Sequence, residues 1–368
     1  ELWRRSVSKE FSHKVTFFNF FYSILVLCYH ANANVMFKDI LPVDTSAGKI
    51  IGWMNHALTE SSGTYFFMLL SAFLLYRDIT KENAWRKVKH RLKSLLIPWI
   101  VWNVIGLLSY HPFDKGMKYI ISYFLTSRFC EQLWFVQMLL IMLLFIPLLQ
   151  RALKRKGIRE IILISLFVMG YYHFPFMAKL SIYPSVKFQA EVLRFLNHVP
   201  IYCLGAYLGL NYSESILQEQ YNQKNRVLAL VFAIGIIICS YLPLNNFLYY
   251  IGFTMRPIGI WIICRKEFFK FEPLWWMQVP FYTYAIHNFI LHWEEKIIRL
   301  SGLFAEEFKT STITVEFAFA WRIVLTVTTF IAVLVSALIL MKVTPKFYEC
   351  LSGGRIPDRM RDKKMESV

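Results

Sequence analysis

The sequence predicts an all-α polytopic membrane protein of about ten transmembrane helices, with both termini on the cytoplasmic side. Three observations predict it. The 368-residue chain is 56% hydrophobic and only 18% charged, with a mean hydropathy of +0.42, whereas a soluble domain carries about 45–50% apolar and about 25% charged residues. The apolar residues gather in long runs, many approaching the ~20 needed to cross the hydrocarbon core. These runs are hydrophobic on all faces, as lipid-embedded helices are and alternating barrel strands are not. Finally, Lys and Arg concentrate in every second connecting segment.

Taken in order, the first span, 15–36, follows a segment (1–14) with four basic residues. The second, 61–77, runs into the basic connector 77–93, with seven. The third, 94–110, leads to the run 119–127, which is too brief to cross and reads as a re-entrant or interfacial helix. The fourth, 132–150, precedes five basic residues in 151–160. The fifth and sixth, 161–177 and 195–211, are followed by two basic residues in 212–226. The seventh and eighth, 227–243 and 247–264, are followed by three in 264–272. The ninth and tenth, 275–293 and 319–341, leave seven in 342–368.

These alternate segments hold 28 of the 41 Lys and Arg residues; the connectors 37–60, 111–131, 178–194, 244–246 and 294–318 hold 11. That bias places the basic segments in the cytoplasm. The net charge of +17 is then topological, and a nucleic-acid partner is excluded. No linker or internal repeat divides the chain. Residues 1–341 read as one membrane domain, and 342–368 as a basic cytoplasmic tail too short for a second fold.

Six cysteines occur, at 28, 130, 203, 239, 264 and 350. Only Cys130 falls outside, so a disulfide framework has no partner set. Metal-ligand spacings, a P-loop and a dinucleotide fingerprint are missing from the sequence, which predicts no metal and no tightly bound cofactor.

Ionisable groups within spans are costly and mark functional candidates. They are His30, His173, Arg256, His287 and Arg322, with Glu131 and Glu316 at outer edges. His30 and His287 both lie toward the outer ends of their spans, as do Glu131, Trp134 and Arg322. The group converges on an outward polar cavity, or each His is an interhelical hydrogen-bonding group and Arg322 a snorkelling side chain; residue types alone leave both readings open.

Five stretches stand in a fixed order: His30 in SILVLCYHANAN, YFFMLLSAFLLYR at 65–77, WRKVKHRLKSLLIPWIVWN at 85–103, EQLWFVQMLLIMLLFIPLL at 131–149 and FYTYAIHNFIL at 281–291. The succession resembles the membrane-bound acyltransferase-3 family, bacterial integral-membrane enzymes that move acyl groups, often acetyl, onto extracytoplasmic glycans. The resemblance runs from about residue 15 to 341. It implies a bacterial cytoplasmic (inner) membrane location, acetyl-CoA or another acyl-CoA as co-substrate, and a carbohydrate acceptor, with membrane lipid around the helices.

The family pattern in the first helix is an arginine followed eleven positions later by a histidine. His30 matches the histidine and Asn19 occupies the arginine position; eleven residues make about three turns, so both share one face. The resemblance assigns Asn19 to the donor side, where Arg256 is a substitute cation. Arg86, Lys87, Lys89, Arg91 and Lys93 suit the phosphates of a CoA thioester, or serve as plain topological anchors. The family's RxxR pattern is incomplete, since Ser94 follows Arg91 by three. Trp134, Tyr284 and Arg322 are assigned to the acceptor side. A neutral His near pH 7 suits general-base work: His30 takes the hydroxyl proton or accepts the acyl group covalently, Glu131 orients the imidazole, and His287 is a further catalytic candidate. The competing function is a transporter or flippase of a lipid-linked or acylated substrate, although no inverted repeat or paired broken helices favour it.

Overall fold

Ser8 starts the first helix. Its hydroxyl accepts the Phe11 N–H at 3.2 Å, which caps a polar turn, so α1 (Lys9–His30) begins earlier than the expected 15–36. The computed structural model describes residues 7–31, 62–180, 186–239, 246–302 and 315–357. The expected remainder of the first span (32–36) and the connector 37–60 lie outside the described residues, as do 181–185 of the connector 178–194, 240–245 and 303–314, and the end of the tail. Every described element is helical.

Where the second span is expected stands α2 (Ser62–Tyr76). The third departs most from expectation: α3 (Ala84–Tyr110) takes in the whole basic stretch 85–93. Lys, Arg and Leu are good helix formers, and the turn before them is closed reciprocally. The Thr80 N–H donates to Asn83 Oδ1 at 2.9 Å, and the Asn83 N–H to Thr80 Oγ1 at 3.3 Å. The short run near 119–127 is α4 (Met117–Leu125).

The expected fourth span is not one continuous helix. α5 (Trp134–Leu144) and α6 (Ile146–Ala152) break at Phe145, with a bend of 65°. Pro147 causes it: proline offers no N–H to the Leu143 carbonyl and its ring crowds that group. Beyond lie α7 (Ile158–Leu180), α8 (Val186–Asn211), α9 (Ser213–Gln218), α10 (Gln223–Cys239) and α11 (Asn246–Ile263). The helix expected as the ninth span is shifted along the chain. Trp275–Gln278 form a 3-10 turn, and α12 (Pro280–Ser301) starts at Pro280, a residue preorganised for the first helical turn. α13 (Val315–Val343) follows, and the expected tail opens with α14 (Pro345–Ser352).

Among the described residues three helical stretches, Lys9–His30, Ala84–Tyr110 and Phe319–Val343, are long and apolar enough to cross a bilayer alone; the bent pair α5–α6 adds a fourth if it counts as one crossing. Others fall short for visible reasons. α2 has 15 residues, about 22 Å at 1.5 Å per residue against a core of about 30 Å, and α12 carries Glu294, Glu295, Lys296 and Arg299 in its last turns.

The chain forms two compact units, each assembled from separate segments. The first comprises Glu1–Phe11, Thr64–Lys93 and Met138–Phe268. Within it α8 lies directly on the backbone of α2 through Gly205 and Gly209, a small-xxx-small pair. A Cβ at 209 would stand 2.7 Å from the Phe73 carbonyl oxygen, and one at 205 would overlap the Leu69 carbonyl. α10 and α11 pair as closely, with Gly259 against Ala229 and Ala233.

The second unit comprises Ser12–Gly63, Ser94–Gln137 and Phe269–Val368. Here α12 and α13 are joined by Tyr282 Oη donating to Ser336 Oγ at 3.2 Å and Thr329 Oγ1 donating to Glu294 Oε2 at 2.5 Å. Pro98, buried inside α3, has no N–H to give the Ser94 carbonyl. Arg355, just past α14, donates to that carbonyl at 3.5 Å and to the Ser352 carbonyl at 2.9 Å. With Trp102 Nε1 donating to the Leu351 carbonyl at 3.0 Å, the start of the tail is a packed part of this unit.

Candidate active site

Two histidines far apart in sequence meet in the second unit. His30 closes α1, half-buried; His287 lies two turns into α12, fully buried. Their ring centroids are 5.1 Å apart with planes inclined at 46°.

The His287 ring has a defined proton position. Its Nδ1 lies 2.8 Å from the Tyr284 carbonyl and 3.2 Å from the Thr283 carbonyl. Carbonyl oxygens only accept, so Nδ1 must carry the proton and donate. The Nε2 atom is therefore a bare lone pair, buried and without a hydrogen-bond partner among the described residues. A buried polar atom left unpaired is costly and calls for an explanation, a catalytic role being one.

The 3-10 turn Glu131–Leu133 lies against this part of α12. Gln132 is buried, and its Nε2 donates to the Ala285 carbonyl at 2.6 Å while its Oε1 accepts from Asn288 Nδ2 at 3.3 Å. The Tyr284 hydroxyl donates to the Gln132 carbonyl. The segments flanking the turn are tied to each other and to α3: Trp99 Nε1 donates to Ser127 Oγ at 2.7 Å, and Ser127 Oγ donates to Gln137 Oε1 at 3.0 Å.

Arg322 is buried in α13 and faces Cys28 and Tyr29 in the last turn of α1. An always-charged guanidinium thus stands beside the turn that carries His30, rather than snorkelling away from it.

The other sequence candidates divide. Glu131 is exposed and pairs with Arg128 at 3.7 Å; its carboxylate does not orient an imidazole, and the neighbouring Gln132 holds the position against α12. Tyr284 is buried, with its hydroxyl committed to the Gln132 carbonyl, so it is a structural partner of the site rather than a group facing an acceptor. Trp134 is half-buried at the start of α5, edge-on to Phe135 at 6.4 Å. Asn19 lies half-buried on α1. Arg256 is buried in α11, in the first unit, whereas Asn19 belongs to the second.

The basic stretch splits by helical angle. At 100° per residue, Arg86, Lys89 and Lys93 fall within about 60° of one another, and Lys87 with Arg91 lie roughly 140° away. The first three are exposed. The other two turn inward in the first unit: Lys87 Nζ donates to the Leu75 carbonyl at 3.1 Å and Arg91 Nη2 to the Ser71 carbonyl at 3.4 Å, both on α2. Helical phase was available in the sequence; the expectation of a loop hid it. Gln132 carried a weaker signal: an amide in an apolar run must find partners.

Among the described residues no group of three or more His, Cys, Asp or Glu is placed to hold a metal ion. The elements define a helical membrane protein in which a buried imidazole, His287, meets a half-buried one, His30. The chain belongs to the acyltransferase-3 family: that family's acyltransferase-domain model matches residues 20–341, which takes in both histidines, Gln132 and the basic face of α3. It is a membrane acyltransferase. No curated protein and no solved structure matches it significantly.

Proposed function

We propose that the protein crosses a bacterial cytoplasmic membrane ten times, N-in and C-in, and moves an acyl group, acetyl by preference, from acyl-CoA to a hydroxyl of a cell-envelope carbohydrate. The observation that carries the reading is the buried, unpartnered Nε2 of His287 with the His30 ring 5.1 Å away. A nucleophile, a base and a group that orients the base form the recurring unit of acyl transfer, and hydrogen bonds among such groups tighten when substrate binds.

In this mechanism His287 Nε2 accepts an N–H from His30, leaving the other His30 nitrogen bare toward the acceptor. That nitrogen removes the hydroxyl proton. The alkoxide oxygen forms a bond to the thioester carbonyl carbon, the C–S bond breaks, and the departing CoA thiolate takes the proton back from His30. Arg322 stabilises the carbonyl oxygen while it is anionic. The exposed Arg86, Lys89 and Lys93 pair with the phosphates of CoA, which the cytoplasm supplies; the basic-segment count of 28 against 11 supports that placement.

The test is incubation of purified protein with labelled acetyl-CoA and crude envelope glycan. Label in the glycan, lost in His30→Ala, is the expected result. Vectorial movement of unmodified glycan through proteoliposomes, with no label transferred, would replace this reading with transport.

A further inference from the structure

We infer that Gln132 is the positioning residue of His287. It acts through the imidazole and does not touch substrate. The kinetic part of this inference rests on the acyl-transfer reading; the geometric part does not.

The His287 arrangement is costly to hold. A buried imidazole with one bare nitrogen is useful only while the ring keeps its orientation and its Nδ1–H tautomer. Both are set by the Tyr284 carbonyl at 2.8 Å and the Thr283 carbonyl at 3.2 Å. These are backbone acceptors one turn back on the same helix, so the ring is only as fixed as that turn of α12.

Gln132 fixes the turn from outside by three bonds. Its own carbonyl receives the Tyr284 hydroxyl, its Nε2 donates to the Ala285 carbonyl at 2.6 Å, and its Oε1 accepts from Asn288 at 3.3 Å. The bonded residues stand three and two positions before His287 and one after it. Tyr284 takes part twice, since its hydroxyl holds Gln132 while its carbonyl holds the imidazole. The amide orientation follows from chemistry: the atom facing the Ala285 carbonyl has to be the NH2 group. A bonded, largely buried network of this kind favours one arrangement, and a group bonded to the support of a reacting residue typically changes its chemistry when removed.

Gln132→Met keeps the side-chain length and removes both side-chain bonds. In protein labelled with 15N-histidine, with the His287 signal assigned by its loss in His287→Gln, the wild type should show one tautomer, protonated at Nδ1. Gln132→Met should show a tautomer mixture, and kcat should fall about 10- to 100-fold, with KM for acetyl-CoA unchanged. Tyr282→Phe removes a bond of the same helix outside this network; it should lower Tm without altering the tautomer or kcat. Asn288→Ala removes one bond alone and should shift the tautomer ratio less, in the same direction, which keeps the test available if Gln132→Met does not fold. An unchanged His287 signal in Gln132→Met, or in Asn288→Ala where that variant stands in for it, would overturn the inference. A wild type that transfers no acyl group would defeat the functional reading while leaving the tautomer measurement decisive.

Discussion

Neutralising the outer face of α3 as Arg86→Gln, Lys89→Gln and Lys93→Gln should raise KM for acyl-CoA roughly ten- to a hundredfold and leave kcat nearly unchanged. The magnitude follows from where these side chains stand. All three are exposed, so each pairs with phosphate in high dielectric, and an exposed ion pair is worth about 0.5–1 kcal/mol. Three together amount to about 1.5–3 kcal/mol, and 1.4 kcal/mol is a factor of ten. Exposure also makes the contribution sensitive to salt: raising NaCl from 50 to 500 mM should increase the wild-type KM and leave that of the triple variant nearly flat. The comparison is the inner pair, Lys87→Met with Arg91→Met. These side chains bond the Leu75 and Ser71 carbonyls, so their loss should lower Tm with a smaller effect on KM. The assay is initial rate against acyl-CoA concentration in detergent, at two salt concentrations, with melting measured on the same samples. A triple variant with unchanged KM, equally salt-sensitive to the wild type, would refute donor binding by this face and leave the charges a topological role.

His30→Ala should lower turnover about 10²–10⁴-fold, the usual range for a lost general base, while costing only about 1 kcal/mol of stability; near-full transfer activity would remove His30 from the chemistry. Gly209→Val should destabilise the first unit by about 1–3 kcal/mol, because even its Cβ would stand 2.7 Å from the Phe73 carbonyl; an unchanged detergent melt would contradict the close packing of α8 on α2. Arg355→Met leaves the Ser94 carbonyl, orphaned by Pro98, without its guanidinium donor; Tm should drop by an amount corresponding to about 1–2 kcal/mol, and truncation after residue 343 should reproduce at least that drop. Cysteines placed near Lys154 should be protected from impermeant reagents in intact cells and those near Lys309 should react; the reverse pattern would defeat the ten-span topology.

Much of this protein is local information. Apolar runs, basic connectors and an ordered set of motifs are sums over neighbouring residues, and they determine by themselves a helical membrane protein of the acyltransferase-3 family. His30 and His287 are visible as candidates because an ionisable group in an apolar run is conspicuous anywhere. Local rules could also have supplied more: the small-xxx-small pair at Gly205 and Gly209, the break at Pro147, and the two-faced charge of α3 all follow from spacing once the helix is known to extend through 85–93. What only the tertiary structure decided is which distant residues share a space. The meeting of His30 with His287, the exposure of Glu131 and burial of its neighbour Gln132, and the repair of the Ser94 carbonyl by Arg355 each join residues from different segments of the chain. Hydrophobicity is additive along a sequence and gives no preference between two polar neighbours on a turn. Their separation into one exposed and one bonded side chain depends on a facing helix whose carbonyls and amides appear only when the chain has packed.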